Sequence, residues 1–178
     1  MLEKFKPTWM VKNIYQVSPQ ELQAQGIRAV FSDLDNTLIA WNNPAGTPEL
    51  RRWMDELHAA GIPLIVISNN SKQRVAKATA HLKLPFISRA LKPLSFGITK
   101  ARRHLGLKKH EVVMVGDQLM TDVIAANRAG VYSILVQPLL STDKWVTWPN
   151  RFMGDLVEKR LKKKYPDMKW QEGLSKDE

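Results

Sequence analysis

The chain predicts a doubly wound α/β domain, three layers deep, with a parallel sheet between two helical layers. Short β-rich runs alternate with helix-patterned segments along its 178 residues. The runs are nearly continuous in Val, Ile and Leu, as strands covered on both faces are. Most helical segments open on a capping residue or close on glycine.

Ser18-Pro19-Gln20-Glu21 is a capping box with proline at the first helical position, and Gly26 closes that short helix. Residues 29–31 form the first strand. Thr47-Pro48-Glu49 starts a helix that Gly61 ends, and residues 63–67 form the second strand. A helix over about 72–82 leads to a weaker strand at 85–87. The next helix, about 94–105, stops at Gly106, before a strand at 112–115. Thr121 is expected to cap a helix ending at Gly130, and residues 132–136 form the last strand. Phe152, Met153, Leu156, Val157 and Leu161 make an apolar stripe on a final helix with a basic back. The tail after Pro166 reads as loosely ordered. One Rossmann-like domain spans 1–178, with a core at about 27–140, an N-terminal extension at 1–26, and a basic C-terminal helix and tail at 150–178.

Composition removes several classes of function. Without cysteine there is neither a disulfide framework nor a thiolate nucleophile or metal site. No apolar run approaches the roughly 20 residues of a membrane span, and the N-terminus lacks the hydrophobic segment of a signal peptide. The chain reads as cytoplasmic. Its net charge of +10 is uneven: eleven Lys or Arg and no acid lie between Glu56 and Glu111. A second cluster runs from Lys159 to Lys164. Such fields suit anionic surfaces or polyanions, and equally a solvated face.

In a doubly wound sheet, ligands bind beyond the carboxyl ends of the strands. Asp33 and Asp35 follow the first strand, and Ser68, Asn69 and Asn70 follow the second. Lys92-Pro93 opens a helix, and Gly116-Asp117 follows the strand at 112–115, with Thr121-Asp122 beyond. Turn chemistry explains each piece alone but not the assortment. Phosphoryl transfer does. A carboxylate attacks phosphorus, a divalent cation offsets the repulsion between anions, and a lysine and a hydroxyl hold the remaining oxygens. A second acid moves the protons. Magnesium takes this kind of all-oxygen ligand set.

Asp33-x-Asp35-x-Thr37, Ser68, Lys92 and Gly116-Asp117-x-x-x-Thr121-Asp122 resemble the four ordered motifs of the haloacid dehalogenase (HAD) superfamily. From about residue 7 to 143 the chain also resembles the bacterial YqeG-type phosphatases, relatives of phosphatidylglycerophosphatase in HAD subclass IIIA. The resemblance implies Asp33 as nucleophile and metal ligand. It implies Asp35 as general acid and base, with its carbonyl on the metal, and Thr37 as a brace. Ser68, with Asn69, would bind phosphoryl oxygens, and Lys92 would neutralise nucleophile and phosphate. Asp117 would ligate Mg²⁺, and Asp122 would support Lys92 or a metal-bound water. An acid two residues after the nucleophile resembles phosphatases and phosphomutases, and the latter usually carry a cap. Only thirty residues lie between Thr37 and Ser68, and a helix and a short strand fill the interval before Lys92, so no cap domain is expected.

The expectation is a Mg²⁺-dependent phosphomonoesterase with an aspartyl-phosphate intermediate, acting on a phosphatidylglycerophosphate-like lipid or on a small phosphorylated metabolite. Trp145, Trp148 and Phe152 before the basic run, with Trp9 and Tyr15 near the start, suit peripheral contact with an anionic membrane at its inner face, or simple packing on the sheet. The rival from another class is a nucleic-acid- or ribosome-associated protein on the same fold.

Overall fold

The computed structural model describes residues 2–140 and 148–174, with the side chains of 148 and 150 outside that description. Six strands form one parallel sheet: β1 (Trp9–Val11), β2 (Ala29–Ser32), β3 (Leu64–Ile67), β4 (Phe86–Ile87), β5 (Val112–Gly116) and β6 (Tyr132–Val136). Their order is β1-β6-β5-β2-β3-β4. The chain therefore winds outward from β2 to one edge, then returns to build the other half from β5. The reversal lies between β2 and β5, which pair from Ala29 with Val112 to Ser32 with Val115. Ligand sites of doubly wound sheets lie at such a reversal.

Alternation along the strands feeds two cores. Val30, Val66, Val113 and Val115 pack under α2 (Pro48–Ala59) with Leu50, Trp53 and Leu57. That side also holds Leu22 of α1 (Pro19–Ala24) and Val75 of α3 (Lys72–Thr79). Phe31, Ile67 and Met114 face the other way, against Ile98 and Ala101 of α4 (Phe96–His104) and the alanines of α5 (Ile124–Ala129). Ser18 and Thr47 cap α1 and α2 as expected.

Four expectations change. The sixth strand, β1, comes from the N-terminal extension; three residues carry too little periodicity to read as a strand. Its Trp9 packs tilted on Tyr132 with ring centres 5.3 Å apart, and Tyr15 packs against Trp53, in line with the packing alternative for these two aromatics. Thr121 caps nothing. Leu119–Val123 winds as a π turn ahead of α5, and the Thr121 hydroxyl donates back to Gln118 Oε1 at 3.3 Å.

The stripe on α6 (Trp148–Lys164) divides. Gly154, Val157 and Leu161 recur at three and four residues and turn inward, which leaves Phe152, Met153 and Leu156 exposed. Trp145 lies outside the described residues, as does the side chain of Trp148. The tail is docked up to Leu174. Gln171 N–H donates to the Met10 carbonyl, Leu174 N–H donates to Glu21, and Met168 and Leu174 are buried. A single bridge between Val11 and Gln171 leaves no sequence pattern to read. Among the described residues, no helix is long and apolar enough to cross a membrane.

Candidate active site

β2 ends in a turn that presents two acids differently. Asp33 N–H continues the sheet by donating to the Val115 carbonyl at 2.8 Å, which sets its side chain over the β2–β5 gap. Asn36 then takes a left-handed φ of 61°, which asparagine tolerates, and the chain folds back from Asn36 to Ile39. Tyr15 braces that loop by donating to the Leu38 carbonyl.

Lys92 enters from the β4–α4 loop. Arg89 and Leu91 have φ of 48° and 59°, strained for side chains of that size. Arg89 N–H to Asn70 and Ala90 N–H to Ser68 pin this backbone to the β3 loop. The Asn69 side chain completes the clamp, donating to the Lys92 carbonyl at 2.8 Å and accepting from its N–H at 2.7 Å. Gly97 lets α4 lie against the loop, because a Cβ there would stand 2.7 Å from that of Ala90.

The Lys92 ammonium bridges Asp33 Oδ1 at 2.8 Å and Asp122 Oδ1 at 2.7 Å, and its side chain is 3% exposed. Burial alone would lower its pKa; the charges of Asp122 and Asp33 outweigh that and raise it above the usual lysine range. Asp122 is held from behind by Gln118 N–H at 3.1 Å. The missing Cβ of Gly116 makes room for it, since any side chain there would overlap the Asp122 carboxylate.

Asp117 follows β5. Thr37 donates to its Oδ1 at 3.2 Å, and Arg151 of α6 contacts its Oδ2 at 3.2 Å. Burial, then the charges of Asp33 and Asp122, push its pKa up to about 8 against the lowering by Arg151. Asp122 is pushed up to about 6, with burial the largest cause. Carboxylate oxygens of Asp33, Asp117 and Asp122 lie within 4.8 Å of one another.

Asp35 stands apart from these acids. Asn70 donates to its Oδ2 at 2.8 Å and Arg74 of α3 pairs with it at 3.4 Å, leaving the carboxylate 37% exposed. Ser68 is buried at the end of β3, its hydroxyl accepting from Asn70 N–H at 3.2 Å. Asp33, Thr37, Lys92, Asp117 and Asp122 thus converge in one cluster, with Asp35, Ser68 and Asn69 on its β3 side. Arg74 and Arg151 went unread in the sequence. Arg74 lies in the first turn of α3 and Arg151 is 34 residues from its partner, so neither falls within a motif.

The sequence profile of the haloacid dehalogenase-like hydrolases matches residues 2–130. The chain belongs to this family. The HAD-like hydrolase is 39% identical over 173 residues to the "Probable phosphatase YqeG" of Bacillus subtilis (strain 168), covering 97% of this chain and all of that one. It is 29% identical over 142 residues to "Phosphatidylglycerophosphate phosphatase 1, chloroplastic/mitochondrial" of Arabidopsis thaliana, covering 75% of this chain and 41% of that protein. The crystal structure of an uncharacterized protein from Listeria monocytogenes serotype 4b superposes with a TM-score of 0.53 at 16% identity, over 75% of this chain and 99% of that one. That likeness speaks for the fold. Family and relative together make the chain a HAD-type phosphatase. Hydrolases of this family generally use a divalent metal, and the acid cluster supplies hard oxygen donors for one.

Proposed function

We propose that this phosphatase hydrolyses phosphomonoesters with Asp33 as nucleophile in a Mg²⁺-loaded site. One observation carries the reading: a buried ammonium held against Asp33 by Asp122, with a second acid, Asp35, set apart and open to solvent. Lys92, 2.8 Å from Asp33, offsets the repulsion as that carboxylate meets a phosphate dianion. An Asp33 oxygen forms a bond to phosphorus while the bond to the ester oxygen breaks. Asp35 gives its proton to the departing alkoxide. Water then attacks the aspartyl phosphate, Asp35 takes the water's proton, and inorganic phosphate leaves with Asp33 restored. Ser68 and the backbone of Asn69 would bind the phosphoryl oxygens.

The fit of a divalent cation is testable on charge. Three acids share the cluster with Lys92 and Arg151, and Asp117 holds its proton far above the ordinary carboxylate range. Asp33, Asp117 and the Asp35 carbonyl would hold the ion, which supplies charge neutralisation on the phosphoryl oxygens. Asp117 has a folded pKa of about 8 against an ordinary 3.8. Between those values the folded chain binds the extra proton, so stability falls as pH rises. Metal-free protein is therefore expected to melt at a lower temperature at pH 8 than at pH 5. Mg²⁺ should reverse that fall, because it replaces the proton. A melting temperature that rises with pH in chelator would sink this account of the cluster.

Asp35→Asn is expected to slow turnover by roughly 10²–10⁴-fold with the fold retained, the usual worth of one proton-transfer group. Steady-state kinetics decide it, and a rate within threefold of wild type removes Asp35 from that role.

The substrate we propose is a phosphomonoester on a glycerolipid, of the phosphatidylglycerophosphate type. The Arabidopsis relative supports that choice, as does the open site. Between Thr37 and Lys92 the chain forms only a loop, α2, β3, α3 and β4, so no lid domain is inserted there. Phosphate release with and without Mg²⁺ from a lipid phosphate, soluble sugar phosphates and an end-phosphorylated oligonucleotide tests both levels. Release from the lipid with Mg²⁺ is expected. Preference for a soluble metabolite overturns the substrate, and release from none of them overturns the enzyme.

A further inference from the structure

Seven large hydrophobic side chains are exposed among the described residues, and all seven lie on segments that surround the acid cluster. Trp41 is in the loop that follows Asp35, Leu91 and Leu94 flank Lys92, and Phe96 opens α4. Phe152, Met153 and Leu156 occupy the first half of α6, beside the Arg151 that contacts Asp117. Single exposed apolar residues scattered over a surface need no cause, but segregation to one edge does. Leu91 sharpens the point, since its left-handed backbone carries a conformational cost and its side chain, 57% exposed, gains little burial in return.

Basic residues interleave with this rim. Arg89 is exposed on the loop that carries Leu91, Lys72 is exposed at the start of α3, and exposed Lys159, Arg160 and Lys163 continue along α6. Acids are fewer there: Glu49 and Asp155 are exposed, and Glu158 is paired with Lys162 at 2.7 Å. Tryptophan, phenylalanine and leucine among lysines and arginines match the layered chemistry of a lipid interface, apolar within and anionic above. A nucleic acid would use the basic and aromatic residues but offers nothing to Leu91, Leu94, Met153 and Leu156.

We infer that the strand-end edge of this protein is a docking surface for an anionic lipid bilayer, which presents phosphomonoesters to Asp33 at the membrane. The inference rests on the phosphatase reading of the same site. The apolar side chains enter the headgroup boundary, and the basic ones contact acidic headgroups around the site.

The test uses the full chain and a variant carrying Trp41→Ser, Leu94→Ser, Phe96→Ser and Leu156→Ser, all at exposed positions. Co-sedimentation is measured with phosphatidylglycerol–phosphatidylcholine vesicles and with phosphatidylcholine alone, at low and high salt. Turnover of soluble p-nitrophenyl phosphate is measured alongside. Wild type should bind the anionic vesicles, more weakly at high salt, and the variant should lose about tenfold or more in partitioning. Soluble turnover should agree within twofold between the two. The inference is overturned if wild type hydrolyses the soluble ester yet stays in the supernatant, if the variant binds vesicles equally well, or if RNA displaces the protein from vesicles while binding the variant unchanged. Vesicle binding without any turnover by wild type would instead remove the phosphatase reading and leave the docking surface supported.

Discussion

Asp33→Asn is expected to abolish turnover, by roughly 10⁴–10⁶-fold as nucleophile removal does in other covalent catalysts, without unfolding the chain. An asparagine oxygen can still accept from the Lys92 ammonium, so the 2.8 Å contact has a neutral successor. What disappears is the charge and nucleophilicity needed to reach phosphorus. A second readout separates this from generic damage. After burial, the charge of Asp33 is the next cause holding the Asp117 proton so tightly. Removing it should move the pH-dependent loss of metal-free stability to lower pH, while the melting temperature at pH 5 changes little. Residual hydrolysis within 100-fold of wild type would exclude Asp33 as nucleophile.

Lys92→Met should cost both activity and stability. The ammonium is the buried partner of two carboxylates, and its loss leaves Asp122, 2% exposed, with only Gln118 N–H to satisfy it among the described residues. Breaking a buried pair by removing one member costs about 3–5 kcal/mol, so urea unfolding should show a midpoint well below that of wild type. Lys92→Met with Asp122→Asn should recover much of that stability, because the stranded charge is gone. It should not recover turnover, since the ammonium that helps offset the repulsion between Asp33 and a phosphate dianion is still missing. Recovery of activity in the double variant would make Lys92 a structural residue only.

How far the fold and site were legible follows from which forces leave local marks. Buried parallel strands demand apolar runs, so β2, β3, β5 and β6 announce themselves, and Asp33 and Asp117 stand out as the first acids beyond two of them. Ser18 and Thr47 are legible because a cap must sit beside the helix it serves. β1 escapes because three residues at an edge take their stability from Tyr132–Val136 and from the docked tail. The π turn escapes for a related reason: Thr121 has capping chemistry, but closure of Asp122 onto Lys92 favours a wider turn than local propensity does. Arg74 and Arg151 are set by tertiary approach alone, and nothing in their neighbours advertises it. The exposed flank of α6 depends on which of two helical faces finds Leu135 and Met10 to cover it, a choice made by the sheet.

The meeting of Gln171 with Met10 and Val11 has a consequence for handling the protein. β1 is the outermost strand on its side, and Gln171 N–H of the docked tail donates to the Met10 carbonyl that would otherwise face solvent. Shortening the chain after Lys164 would uncover an apolar ribbon, Trp9-Met10-Val11, free to recruit the same ribbon from another molecule. Such a truncation should self-associate and precipitate on concentration even though every group around Asp33 is left in place.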